Sequence, residues 1–94
     1  MQETELEVKV YVAVKAGFDQ FGRMMPQELV WEDGRRYTID KVSDIRQAAA
    51  MRAGGQGDRY TVWIGGKQSY LFFERSTNLS GNVIGRWFVE RRAS

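Results

Sequence analysis

WEDGRRYTID, residues 31–40, is an aromatic-flanked Asp-Gly turn between two strand-like runs, and it decides the fold. Asp-Gly between alternating apolar residues is the strongest short-range signal of a β-hairpin. A two-residue turn would mix polar and apolar side chains on both faces. A three-residue loop at 32–34, with Gly34 left-handed in a bulge, sets Leu29 opposite Tyr37 and Trp31 opposite Arg35. We prefer this register because a buried face specifies register strongly, and it places four apolar residues on that face: Leu29, Trp31, Tyr37 and Ile39.

A second hairpin is predicted around Gly65 and Gly66, between strand-like runs at 58–64 and 67–74. Two adjacent glycines suit a two-residue type I′ turn. This register predicts a core face made of Tyr60, Val62, Ile64, Leu71 and Phe73. The opposite face then carries Arg59, Thr61, Trp63, Gln68, Tyr70 and Phe72. Three aromatic rings and an arginine are therefore directed toward solvent or a partner.

Strands are also predicted at both ends of the chain. Residues 7–16 alternate strictly, with four valines on one face and Lys9 and Tyr11 on the other. A loop at 17–22 follows, in which we interpret Phe18 and Phe21 as anchors. The only proline, Pro26, lies just before the next run. A polar loop at 76–82 precedes a last strand at 86–91.

The segment 41–52 has two interpretations. Val42, Ile45, Ala48 and Ala49 recur at helical spacing, with Asp40 as a candidate N-cap and a Gly-Gly pair at 54–55 as a stop signal. The alternative is a strand that bends at Val42 and continues through Ile45. We expect one short helix near 41–52, followed by a loop at 52–58.

Length and composition indicate one domain over residues 1–94, with a frayed start at 1–6 and an ordered core at about 7–91. No apolar run approaches the ~18 residues of a membrane-spanning helix. The acidic N-terminus does not resemble a secretory signal, so we expect a soluble cytoplasmic protein. The fold class is mainly all-β: a small, partly open antiparallel barrel of five or six strands.

The composition argues against most enzymes. The chain has no cysteine and no histidine, which removes thiolate nucleophiles, the commonest general base and the usual zinc ligands. Gly66-Lys67 and Gly55-Gln56-Gly57 do not complete a phosphate-binding motif. Turn formation and capping explain the carboxylates better than metal binding or acid–base catalysis: Glu32, Asp33, Asp40 and Asp44. We expect no catalytic residues, no metal and no cofactor.

Charge is distributed unevenly along the chain. Residues 1–44 carry six basic and nine acidic side chains (−3), and residues 45–94 carry eight and three (+5). Ten of the fourteen basic residues are arginine, which favours planar contacts to phosphate or to aromatic rings. The simpler interpretation of these charges is a solubilising surface, and we prefer it to a nucleic-acid-binding surface.

One face combines this charge with aromatic rings. The candidate binding face comprises Arg59, Trp63, Tyr70 and Phe72, joined by Lys9, Tyr11 and Arg75. Single-stranded nucleic acid binds to such mixtures, with bases stacked on rings while cations contact phosphate. The same composition fits a layer buried under another part of the fold, a protein interface or a homodimer contact, and we prefer these interpretations to nucleic-acid binding. A small-molecule site is a further alternative.

Three stretches of the chain form a pattern: Trp31-x-x-Gly34-Arg35-x-Tyr37-x-Ile39-x-x-Val42-x-Asp44, Arg59-Tyr60-x-Val62, and Gly85-Arg86-Trp87-Phe88-Val89. The pattern covers most of residues 27–91 and resembles a family of small uncharacterised bacterial all-β proteins, some encoded beside lesion-bypass DNA polymerases. The loop at 76–84 and the valine-rich first strand depart from it. The resemblance implies an SH3-like or similar partly open barrel, an association with DNA maintenance and no catalytic residues. The expected function is a non-catalytic binding module, with a protein-interaction or self-assembly module as the alternative.

Overall fold

The computed structural model describes residues 6–49, 56–77, 81 and 83–93, and these residues form seven strands and no helix. In chain order the strands are β1 Leu6–Phe18, β2 Met24–Val30, β3 Arg36–Thr38, β4 Lys41–Ala49, β5 Gln56–Ile64, β6 Lys67–Thr77 and β7 Val83–Ala93. All pairings are antiparallel, in the order β3-β2-β1-β7-β6-β5-β4. The predicted all-β open barrel is confirmed, with seven strands in place of five or six.

The two edge strands of the sheet, β3 and β4, are consecutive in the chain, so the sheet must curl to bring them together. The backbone N–H of Ile39 donates to the carbonyl oxygen of Gln27 at 2.9 Å, and that of Asp40 donates to Trp63 at 2.8 Å. Two successive residues thus bond to opposite halves of the sheet. These bonds close one end of a half-barrel.

The core fills the concave side of this half-barrel, which we call the inner face. Its buried residues are Ile39, Tyr60, Val62, Leu71 and Trp87. The ring of Trp87 packs between those of Tyr60 and Phe73, at centroid distances of 5.0 and 4.8 Å. The hydroxyl of Tyr60 donates to the carbonyl oxygen of Met24 at 2.8 Å, so the core also holds β2 against β5.

The preferred register of the first hairpin is confirmed. Leu29 pairs with Tyr37, and the N–H of Trp31 donates to the carbonyl oxygen of Arg35 at 2.8 Å. Gly34 has a φ of 87°, the left-handed conformation that the three-residue loop requires. Asp33 has the predicted turn role, since its carboxylate accepts from the N–H of Arg35 at 2.9 Å.

The second hairpin is also as predicted. Ile64 pairs with Lys67 across Gly65 and Gly66, whose φ angles are 58° and 78°. Positive φ at both central positions defines the type I′ turn. The pairing continues through Tyr60 with Leu71, so the predicted faces of β5 and β6 are correct.

The helix expected near 41–52 is wrong for the part that the structure describes, which is strand β4. Val42 pairs with Val62 and Asp44 with Thr61, so Ser43 is an extra residue in a bulge. The bulge resets the alternation and directs both Val42 and Ile45 toward the core. An i, i+3 spacing therefore arose from a bulged strand. Asp40 is not a helix cap; its carboxylate accepts from the N–H of Gly65 at 2.8 Å.

Most strands are longer than predicted. β1 reaches Phe18, β5 begins at Gln56 and β6 continues to Thr77. β2 begins before Pro26, which lies at an irregularity in the pairing with β1, where a missing N–H is tolerated. The start expected to fray at 1–6 is wrong at Leu6, which begins β1, and the loop expected at 76–82 is wrong at 76–77, which belong to β6. Residues 1–5, the Gly-Gly stop at 54–55 and most of 78–82 lie outside the described residues.

Phe18 and Phe21 are not loop anchors. Their side chains are 76% and 73% exposed, because the turn at 19–23 is held by Asp19 rather than by the rings. The Asp19 carboxylate accepts from the backbone N–H groups of Phe21 and Arg23 at 2.8 and 2.9 Å. These bonds, foremost the one from Arg23, lower the pKa of Asp19.

Gly57 lies where the backbones of β5 and β6 approach closely. A Cβ here would overlap the carbonyl oxygen of Phe73 and lie 3.0 Å from its carbonyl carbon. We expect Gly57→Ala to lower the free energy of unfolding by about 1–2 kcal/mol, because backbone has to move. Gly17→Ala is the matched control, since its Cβ would meet only the amide end of Gln27, which can rotate away. Urea denaturation that gives equal losses for both variants would contradict this account.

Candidate functional site

The convex side of the sheet, which we call the outer face, contains most of the predicted binding residues. Cross-strand partners share a face, and the pairs Tyr11–Phe88, Phe88–Phe72 and Phe72–Arg59 connect β1 to β5. The predicted residues on this face are Lys9, Tyr11, Arg59, Trp63, Tyr70 and Phe72. Six of the seven candidates are therefore brought to one surface.

Arg75 is the exception. It pairs with Gly85, and its guanidinium lies 5.6 Å from the ring centroid of Phe73, which packs on Trp87 in the core. Arg75 thus belongs to the inner side of β6. The alternation along this strand, with Phe72 outward, already predicts that position.

The centre of the outer face is an aromatic pair that is buried within the monomer. Phe72 and Phe88 are 4% and 0% exposed, and their rings stack at 5.0 Å with an interplanar angle of 8°. The ring of Tyr11 meets Phe88 edge-on at 5.9 Å, and the ammonium of Lys9 lies 4.9 Å from the Phe88 centroid. Phe72 is therefore a support for the surface rather than a contact residue.

A buried carboxylate, Glu74, organises the neighbouring side chains. It accepts from the hydroxyl of Tyr11 at 2.6 Å and from the ammonium of Lys9 at 3.1 Å, and Arg86 lies 3.2 Å away. Burial by itself raises the pKa of Glu74, but these hydrogen bonds and charges outweigh it, so the pKa falls below its ordinary value of 4.5. The hydrogen bond to Glu74 raises the pKa of Tyr11 in turn.

The exposed part of the outer face pairs each ring with a cation. Arg59 lies 4.7 Å from the ring centroid of Tyr70, Arg86 lies 4.3 Å from that of Tyr11, and Lys41 lies 5.8 Å from that of Trp63. Tyr11 and Tyr70 are 44% and 46% exposed, and Trp63 is half-buried. Guanidinium groups stacked on rings are held in a defined plane with their outer side toward solvent.

Two of these cations carry uncompensated charge. Among the described residues, no carboxylate lies within 4.0 Å of Arg59 or Lys41, whereas Arg46 on β4 is neutralised by Asp44 at 2.6 Å. The Nε atom of Arg59 is buried and has no hydrogen-bond acceptor in the part of the chain that the structure describes. The positive charge of the outer face is thus concentrated at β4–β6.

Four residues of this surface are absent from the sequence-based set: Lys41, Glu74, Arg86 and Phe88. Lys41 was obscured by the expected helix. Phe88 pairs with Phe72, and Arg86 with Glu74. The sequence predicted a strand at 86–91 but no register between it and β6, because the polar run before it does not define a turn type that would fix the register.

The carboxylates considered for acid–base chemistry have structural partners. Asp40 bonds to Gly65 and Asp44 pairs with Arg46. Within residues 6–49, 56–77, 81 and 83–93, no three acidic side chains cluster in a way that could hold a metal ion. None of the described residues belongs to a helix long and apolar enough to cross a membrane.

Comparison with known proteins gives no relative: no family model, no curated protein and no solved structure matches the chain. The function has to be inferred from the outer face, its rings and its charges.

Proposed function

We propose that this domain is a non-catalytic binding module, in an SH3-like barrel, that takes single-stranded nucleic acid on its outer face. The observation that carries the proposal is the pairing of the exposed Tyr70 ring with Arg59 and of the half-buried Trp63 ring with Lys41, two cations that have no carboxylate partner in the described part of the chain. Bases stack on such rings and on guanidinium planes, and the charges contact phosphate.

The geometry favours the β4–β6 half of the outer face. Lys9 and Arg86 are bound to Glu74, so their charge is largely neutralised. Arg59 and Lys41 have no such partner among the described residues. A nucleic-acid chain that crosses β5 and β6 would meet Trp63 and Tyr70. These two residues are diagonal neighbours, because Trp63 pairs with Gln68 and Tyr70 lies two residues further along β6. Diagonal neighbours lie roughly 7–8 Å apart at Cα.

A fluorescently labelled single-stranded oligothymidine, followed by anisotropy at two salt concentrations, tests the proposal. Tyr70→Ala should weaken binding by about ten-fold, since stacking on one ring contributes roughly 1–3 kcal/mol. Arg59→Gln should also weaken binding and reduce the slope of log affinity against log salt by about 0.7, the value for one lost phosphate contact on a single strand.

Matched controls lie elsewhere on the chain. Phe21→Ala removes an exposed ring from the β1–β2 turn, and Arg35→Gln removes an exposed cation from the β2–β3 hairpin. Both should bind like the wild type. Equal losses in these controls would indicate nonspecific attraction to a basic protein, and undetectable binding at low salt would refute the proposal.

The alternative is that the outer face is a dry interface with a protein or a second copy of the chain. Its most apolar rings, Phe72 and Phe88, are already buried within one chain, and its exposed rings, Tyr11 and Tyr70, each have a cation beside them. Such a surface is more polar than the core of a typical dimer interface. A dimer mass in light scattering that Tyr70→Ala abolishes would favour this alternative.

A further inference from the structure

A second exposed tyrosine lies on the outer face, on the half formed by β1 and β7. The ring of Tyr11 is 44% exposed, and the guanidinium of Arg86 lies 4.3 Å from its centroid, the shortest such distance among the described residues. The Arg86 side chain is itself 49% exposed. Ring and guanidinium thus form a stack that is open to solvent, as Tyr70 and Arg59 do.

Contacts from below hold this stack in place. The carboxylate of Glu74 accepts from the hydroxyl of Tyr11 at 2.6 Å and lies 3.2 Å from the guanidinium of Arg86. The Tyr11 ring also meets the fully buried ring of Phe88 edge-on. A planar ligand that stacks here therefore has few side chains left to order, which favours binding.

This half of the outer face is close to neutral, unlike the half at β4–β6. Its two cations, Lys9 and Arg86, both form ion pairs with Glu74. Glu90 lies opposite Lys9 on the same face and adds a second carboxylate. Two positive and two negative groups leave no net charge to attract phosphate. A ligand on this half is therefore held by stacking, and bases stack both on aromatic rings and on guanidinium planes.

The spacing between Tyr11 and Tyr70 restricts the form of the nucleic acid. Tyr11 pairs with Phe88, Phe88 pairs with Phe72, and Tyr70 lies two residues from Phe72 on β6. With ~4.8 Å between strands and ~3.4 Å per residue along a strand, the Cα atoms of the two tyrosines are about 12 Å apart. Neighbouring bases in a continuous stack are only ~3.4 Å apart. The two phenylalanine rings between the tyrosines are buried and offer no further platform.

From this stack, its neutrality and its distance from Tyr70, we infer that Tyr11 and Arg86 form a second base-stacking site. The inference rests on the proposed function and extends it: the domain takes an extended, unstacked single strand and holds two bases that are not neighbours. Arg59 and Lys41 contact the phosphates, whereas the second site contributes stacking alone. A double helix cannot place a base on each tyrosine, because its bases are fixed in a continuous stack.

Anisotropy with an oligothymidine of about eight nucleotides, a usual length for a site on a small β-barrel, tests the inference. Tyr11→Phe and Tyr11→Leu both lose the hydroxyl that donates to Glu74, but only Tyr11→Leu loses the ring. Tyr11→Leu should bind about ten-fold more weakly than Tyr11→Phe, as for one lost stacked base, and with the same dependence on salt. Urea denaturation corrects both affinities for any unfolded protein.

Two further probes keep the phosphate charges but offer no base to Tyr11: an abasic strand of the same length and a DNA duplex. Tyr11→Phe and Tyr11→Leu should bind each of these probes equally. Phe21→Leu is the matched control, since it removes an exposed ring that also has an arginine beside it but lies in the β1–β2 turn. This variant should bind the oligothymidine like the wild type.

Equal affinities of Tyr11→Phe and Tyr11→Leu for the oligothymidine, while Tyr70→Ala still weakens binding, would overturn this inference and leave the proposed function standing. A ten-fold difference that persists with the abasic strand would also overturn it, because the ring would then act without a base. A wild type that does not bind the oligothymidine would overturn both the inference and the proposed function.

Discussion

Phe88→Ala is expected to lower the free energy of unfolding by about 3–5 kcal/mol, the usual cost of emptying a fully packed phenylalanine site. The Phe88 side chain has 0% exposure and stacks on Phe72 at 5.0 Å. Without the Phe88 ring, Tyr11 loses its edge-on contact and the ammonium of Lys9 loses the ring beneath it. The loss is large because three neighbouring strands meet at this ring.

Urea denaturation followed by tryptophan fluorescence measures this loss. Phe18→Ala is the matched control, since its ring is 76% exposed, and it should change stability by less than about 0.5 kcal/mol. If Phe88→Ala does not fold, Phe88→Leu should still fold and show a smaller loss, at the lower end of core substitutions. Equal stabilities of Phe88→Ala and Phe18→Ala would show that the outer face has no packed centre.

Glu74→Ala is expected to cost about 2–3 kcal/mol, because a hydrogen bond to a buried charge contributes more than a neutral one and its partners lose their acceptor. The Glu74 side chain is 10% exposed, and its partners are Tyr11, Lys9 and Arg86. Glu28→Ala removes the more exposed ion pair with Arg36 and should cost less than about 1 kcal/mol. Chemical denaturation of both variants compares these two carboxylates directly.

The effect of Glu74 should depend on pH in a defined direction. The pKa of Glu74 in the folded state lies below its ordinary value of 4.5, so its ionised form stabilises the fold. This contribution is complete above about pH 4.5 and is lost as the pH falls through the folded-state pKa. The stability difference between the wild type and Glu74→Gln should therefore shrink in acid. A difference that stays constant from pH 7 to about pH 2 would contradict the assigned role of the charge.

These two residues connect stability to the proposed function. Phe88 supports the outer face from below, and Glu74 fixes Tyr11, Lys9 and Arg86 beside it. Neither residue is expected to contact a nucleic acid. Phe88→Ala should lose affinity only in proportion to unfolding, whereas Tyr70→Ala should lose affinity while fully folded. Measuring stability and binding on the same samples separates the two cases.

The amino-acid sequence by itself determined the two hairpins. Gly34 requires a left-handed loop, and the adjacent Gly65 and Gly66 require a type I′ turn. Once these turns are set, period-two alternation assigns the faces of β5 and β6, including the outward positions of Arg59, Trp63, Tyr70 and Phe72. The same alternation would have excluded Arg75. These features were predictable because turn chemistry and strand periodicity act over a few residues.

Only the tertiary structure decided how these local pieces meet. The bulge at Ser43, which imitates a helical spacing, is defined by pairing between β4 and β5. The burial of Phe72 depends on Phe88, which lies sixteen residues later and pairs with it across β6 and β7. A cleft that is lined by both Trp31 and Lys67 likewise lies between the two hairpins. Local patterns do not encode the register between strands that are distant in sequence, because that register is set by which side chains pack together once the sheet has curled.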